Sequence, residues 1–138
     1  MSLFTVFDIA GTGLSASSVR LNTTASNLAN AESVSSSEGG TYRARHPVFR
    51  AVMDDGLSLD ESVVGVQVLG IVASQSPLRV EHRPEHPMAD GNGNIYRPNV
   101  NMVEELADMI SASRTYQSNV EVMNSSKMLA MRTLSLGD

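Results

Sequence analysis

The chain has 138 residues and a formal net charge of -5, enough for one domain with a modest core and poorly suited to binding nucleic acid or an anionic membrane surface. Cysteine is absent, which excludes a disulfide framework, a thiolate metal site and a cysteine nucleophile. With no tryptophan, 4% aromatic residues and eight methionines, the chain has few rigid anchors, and part of its stability is expected to come from neighbouring chains.

The opening residues, Met1 to Asp8, have no basic segment and meet an acid early, so no cleaved export signal is expected. From Ser2 to Ala31 only Asp8 and Arg20 are charged. Phe7, Leu14, Leu21 and Leu28 recur at sevens, and Ala10, Ser17, Thr24 and Ala31 fill the complementary row, which predicts a heptad helix. Thr5 with Asp8 is the expected capping pair, and Gly11-Thr12-Gly13 the expected weak point. The remaining surface of this helix is Ala, Ser, Thr and Asn. A solvated face normally carries Lys and Glu, so this one suits packing against other helices, and the segment is expected to become ordered on assembly.

Ser33 to Gly40 is a serine-rich, low-complexity stretch and reads as a mobile loop. Val64 to Ser74 alternates β-branched residues and predicts a strand. Leu78 to His82 and Ile95 to Arg97 are shorter strands, joined across a turn at Asp90-Gly91-Asn92-Gly93-Asn94. Pro77, Pro84, Pro87 and Pro98 forbid a long helix in this region.

The last segment predicts a second helix, with Asn101 as N-cap, Glu104 at the third position and Gly137 as stop. Its expected seam is Met102, Leu106, Met109, Ser113, Tyr116, Val120, Met123, Lys127, Ala130 and Leu134, spaced alternately four and three. Met128 and Met131 extend an adaptable methionine stripe. The predicted fold class is α+β: long N- and C-terminal helices form an antiparallel coiled-coil rod, with a small β-rich insert at one end. Residues 1–32 and 99–138 would make the helical domain, and residues 33–98 the serine-rich loop and β domain.

Few residues offer chemistry. His82 and His86 are four apart, but Pro84 removes the helical geometry a metal pair needs, and His46 is remote in sequence. The Asp90 run starts like a calcium loop, yet Ile95 stands where the turn glycine belongs and Asn101 where the bidentate acid belongs. Gly11-Thr12-Gly13 lacks the Lys-Ser/Thr of a phosphate loop. The adjacent acids Asp54-Asp55, Asp60-Glu61 and Glu104-Glu105 read as solvation and capping. No cofactor, small-molecule substrate or catalytic role is expected.

Leu21 to Asn30 (LNTTASNLAN), with its Ala25-Ser26-Asn27-Leu28-Ala29-Asn30 close, resembles the N-terminal signature of bacterial flagellar axial proteins. Tyr96 to Glu105 (YRPNVNMVEE) and Met109 to Asn124 (MISASRTYQSNVEVMN) are similar to the flagellar basal-body rod proteins, and specifically to proximal rod subunits. Gly70 to Val72, Ser76 to Arg79 and His86 to Asp90 match them too. The resemblance implies a structural subunit, exported through the flagellar type III apparatus without cleavage and assembled into a helical rod across the periplasm. Its implied partners are further copies, other proximal and distal rod proteins, and the adaptor to the membrane ring. The expected assembly interface is Phe7, Leu14, Leu21, Ala25, Asn27, Leu28 and Asn30 with Leu106, Met109, Ile110, Tyr116, Asn119, Val120, Met123 and Leu134. The competing readings are a helical adaptor acting in the cytoplasm and a small metal enzyme built on His82, His86 and Asp90.

Overall fold

The computed structural model describes residues 3–53 and 64–135. Helix α1 spans Leu3–Asn30 and helix α2 spans Met102–Ser135. Between them lie strands β1 (Arg45–Met53), β2 (Val64–Ala73), β3 (Arg79–His82) and β4 (Asn94–Arg97). The α+β class follows. The helices are about 42 and 51 Å long at 1.5 Å per residue.

The helices run antiparallel. Asn27 of α1 meets Glu105, Arg20 pairs with Asp108, Gly13 abuts Asn119 and Gly11 lies near Met123. Gly11 and Gly13 do not interrupt α1. A Cβ built on Gly13 would lie 2.7 Å from Asn119 Nδ2, so the missing side chain is what admits the second helix. The expected capping pair is displaced: α1 begins at Leu3, which leaves Thr5 and Asp8 inside the helix. Asn101 does cap α2. Its Oδ1 accepts from Val103 N at 3.1 Å, and its carbonyl accepts from Glu105 N at 3.0 Å. The expected stop at Gly137 lies outside the described residues.

The buried row of α2 is not the expected seam. Glu105, Ala112 and Ser126 are buried, with Asn119 half-buried at the matching heptad position. On α1 the buried residues are Ala10, Ala16, Ser17, Thr23, Thr24 and Asn27. Small and polar side chains therefore line the interior, because helices that approach closely leave no room for leucine. Phe7, Leu14, Leu21 and Leu28 flank that interior, half-buried.

The hairpin β1–β2 is antiparallel, pairing Arg45 with Ala73 and Met53 with Val64, with a register shift between Val48 and Phe49. It does not sit at one end of the helix pair. The Arg45 backbone bonds to Asn27, while Val66 N donates to Thr12 Oγ1 at 3.2 Å. Those α1 anchors are fifteen residues apart, about 22 Å, so the ribbon lies along the helix. Phe49 and Val66 reach toward Ile9, Gly13 and Ala16 of α1 and Ala112 and Asn119 of α2, around a pocket of about 360 Å³.

The second hairpin pairs β3 with β4 from Arg79–Arg97 to His82–Asn94. Asp90 Oδ1 accepts from Asn92 N and Asn94 N at 2.8 and 2.9 Å, and Gly93 supplies the positive φ of 76° that the turn needs. Ser35 exchanges both backbone hydrogen bonds with Tyr96, each 3.0 Å. Thr41 Oγ1 donates to Ser37 O at 2.7 Å. The serine-rich stretch is thus tied at both ends rather than free, because serine hydroxyls and backbone satisfy each other locally. Arg97 adds ion pairs to Glu32 and Glu81.

The interior is small. Among the described residues, five of the seven buried hydrophobic side chains are alanines, leaving Ile95 and Val100 as the larger ones. Ala31, Ala44 and Val100 cluster with Tyr42 where α1, β1 and the start of α2 converge. The accessible surface is 9363 Å², whereas a compact monomer of this mass exposes about 7,000 Å². Val103, Ile110, Met131 and Leu134 are among the large apolar side chains left exposed.

Candidate assembly interface

The candidate region has an internal anchor and an exposed outer side. The anchor is Asn27, 1% exposed. Its Nδ2 donates to Arg45 O and to Glu105 Oε1, both at 2.8 Å. Its Oδ1 accepts from Arg45 N at 2.9 Å and from Tyr42 OH at 2.8 Å. All four hydrogen-bonding positions of the amide are filled. By pairing with both N–H and C=O of Arg45, the side chain stands in for a neighbouring strand at the outward edge of β1. Pro47, two residues on, faces the same way and needs no ladder partner.

Tyr42 OH also meets Ser26 Oγ at 3.2 Å, and the Arg45 guanidinium lies 5.4 Å from the Tyr42 ring centroid. Asn30 Nδ2 turns back to Ser26 O at 2.8 Å and finishes α1. Asn99 repeats the device across the junction: Oδ1 accepts from Ala44 N at 2.8 Å and Nδ2 donates to Ser76 O at 2.9 Å. Arg79 Nε donates to Pro98 O at 3.2 Å.

Glu105 is 6% exposed. Burial pushes its carboxyl above the ordinary carboxylate range. The Asn27 hydrogen bond and nearby His46 pull it back, and Asp108 and Glu104 add to the rise. Reading Glu105 as a solvating acid is therefore corrected: it is a buried acceptor.

Large apolar side chains are exposed at both ends of α2 and on the ribbon. On α2 Met102, Val103, Leu106 and Ile110 are exposed near the start, and Met128, Leu129, Met131 and Leu134 near the end. On the ribbon Leu69, Ile71 and Val72 are more than half exposed.

The expected interface residues divide three ways. Leu106, Ile110, Tyr116, Leu134 and Ala25 are exposed. Phe7, Leu14, Leu21, Leu28, Asn30, Met109, Asn119, Val120 and Met123 are half-buried. Asn27 stands apart: it lies inside the chain, with every polar atom engaged there. Sequence reasoning missed Tyr42, Arg45, Glu105 and Asn99 as the residues that complete the anchor. Nothing local in the sequence marks these residues, which come together only in the fold.

His82 Nδ1 hydrogen-bonds Asn94 Oδ1 at 3.1 Å, and His86 Nδ1 accepts from Met88 N at 3.0 Å. Among the described residues no three His, Asp or Glu converge, and no helix is long and apolar enough to cross a membrane.

Two long terminal helices, an alanine-sized interior and a wide outward apolar face define a structural building block. Residues 7–34 match the family described as flagella basal body rod protein, and residues 92–136 match the flagellar basal body rod FlgEFG protein C-terminal family. Flagellar basal-body rod protein FlgC of Salmonella typhimurium is 44% identical over 137 residues, covering 99% of each chain. Its counterpart in Yersinia enterocolitica is 46% identical with the same coverage. That of Borreliella burgdorferi is 36% identical over 149 aligned positions, covering 99% of this chain and 98% of its own. The chain belongs to the FlgC family of flagellar basal-body rod proteins. It is a structural subunit of the basal-body rod, is located there, and assembles with other basal-body components.

Proposed function

We propose that this chain polymerises through its terminal helices in the proximal part of the rod and transmits torque across the periplasm. The observation that carries this reading is the apolar surface left uncovered at both ends of α2, Met102 to Ile110 and Met128 to Leu134, set against an interior built mainly of alanine. A rotating shaft needs subunits held by large, many-sided contacts. Unlike faces that repeat without closing generate a helical polymer. The proposed contacts combine the half-buried α1 row Phe7, Leu14, Leu21 and Leu28 with the α2 residues Leu106, Met109, Ile110, Tyr116, Val120, Met123 and Leu134.

Neighbouring copies, the other proximal rod proteins, the distal rod and the ring adaptor are the proposed partners, with delivery by the flagellar type III export apparatus. The role is structural rather than catalytic. Leu21→Asp or Val120→Asp places a charge in a contact that assembly buries, which costs several kcal/mol. Cells carrying either variant are expected to lack rods and motility, and normal rods in both would overturn the proposal.

A further inference from the structure

We propose that the Asn27 amide is a clasp that makes the docking of the β1–β2 ribbon and the docking of α2 onto α1 a single event. The inference stands apart from the assembly proposal, since every group in it belongs to one chain. Asn27 is the one side chain that hydrogen-bonds both β1, through the Arg45 backbone, and α2, through Glu105, among the described residues.

The coupling is geometric. Two bonds to Arg45 fix the amide plane, as a ladder partner would, and Tyr42 OH holds its oxygen from the other side. With the plane fixed, the second Nδ2–H points at Glu105 Oε1. Without β1, the amide rotates freely and the bond to α2 forms only at an ordering cost. Without α2, the donor that Arg45 has aimed finds no protein acceptor. Each docked element prepares the group that binds the other. Apart from the part-exposed Arg20–Asp108 ion pair and the Gly13–Asn119 approach, the buried side chains of the two helices are chiefly Ala, Ser and Thr, which fit closely but supply little directional pairing between them.

Asn27→Asp tests this because it keeps the shape and removes both donors. It also sets a carboxylate against Glu105. Adding Glu105→Gln reverses the polarity of the pair: a glutamine amide donates to the new carboxylate, which still accepts from Arg45 N and Tyr42 OH. Amide hydrogen exchange is measured on the full chain at pH 8. In the wild type, the amides of Arg45, of β2 and of the first three turns of α2 are expected to be protected.

Asn27→Asp is expected to lower protection in β1–β2 and in those turns together, by about 30-fold or more. The β3–β4 hairpin is expected to keep its protection. The double variant restores the bond to α2 but leaves Arg45 O without its donor, so it is expected to recover part of the loss, and to do so in both places. Loss confined to one element, an Asn27→Asp chain like the wild type, or no protection at these amides in the wild type would each overturn the clasp. Should Asn27→Asp unfold the whole chain, Glu105→Ala decides, because it leaves the Asn27–Arg45 pairing in place: lowered protection in β1–β2 as well as in α2 supports the clasp, and loss confined to α2 refutes it.

Discussion

Gly13 and Asn119 touch across the helix pair so closely that a single methyl group on the glycine would meet the asparagine amide at 2.7 Å. Within a helix, Gly→Ala ordinarily gains about 1 kcal/mol. Here the methyl must displace the Asn119 amide, and the gain is expected to be cancelled. In an Asn119→Ala background the obstacle is gone, and Gly13→Ala should recover the full helix-propensity benefit. Chemical denaturation of the four chains of this double-mutant cycle measures the difference. A Gly13→Ala gain that is the same in both backgrounds would show that the close approach costs nothing.

Glu105 sets a pH dependence whose sign is fixed by burial. Its carboxyl is raised in the folded chain, chiefly because it is taken out of water, above the ordinary value of 4.5. Between the two values the folded chain holds a proton that the unfolded chain has released, so stability falls as pH rises through that window and is level on either side. Glu105→Gln still offers an oxygen to Asn27 and carries no charge. Its thermal midpoint should exceed that of the wild type at neutral pH, and the two should converge below pH 4.5. Parallel curves across the whole range would be inconsistent with a raised carboxyl.

Ile110, 56% exposed on α2, separates folding from assembly. Ile110→Asp leaves the isolated chain's interior untouched, and its unfolding free energy should stay within about 0.5 kcal/mol of the wild type. If α2 is a contact between subunits, the same variant should nonetheless yield no rods in cells. Electron microscopy of basal bodies and swimming assays read the second outcome, and denaturant titration reads the first. A variant with intact rods would remove this part of α2 from the proposed contact.

Asn99 is expected to matter more than its half-buried position suggests. Asn99→Ala leaves Ala44 N without its acceptor beside the small Ala31–Ala44–Val100 cluster. An unmet buried donor costs about 1–3 kcal/mol, a sizeable part of the stability of a chain with so small an interior. Loss of less than about 0.5 kcal/mol on denaturation would mean that water replaces the asparagine there.

Both helices, β2, β3 and β4 were legible because their patterns are local: heptads, a β-branched run, and an Asp-Gly turn between short apolar segments. Strand β1 was not. Pro47 and three arginine or histidine residues mask its alternation, and the register shift at Val48 and Phe49 breaks its period. What makes it a strand is its partner β2 and the Asn27 amide at its edge, neither of which is adjacent in sequence. The seam of α2 was placed on the large apolar row. The structure turns Glu105, Ala112 and Ser126 inward, since Gly13 brings the helices too close for leucine. The asparagines were recognisable as special from family likeness. That Asn27 closes an internal junction depended on where Arg45 and Glu105 come to lie.

The paired backbone bonds between Ser35 and Tyr96 have a mechanical consequence. Ser35 follows the end of α1 by five residues, and Tyr96 precedes the start of α2 by six. The bridge therefore gives a pull between the two helices a path across the chain that is far shorter than the covalent one through residues 36 to 95.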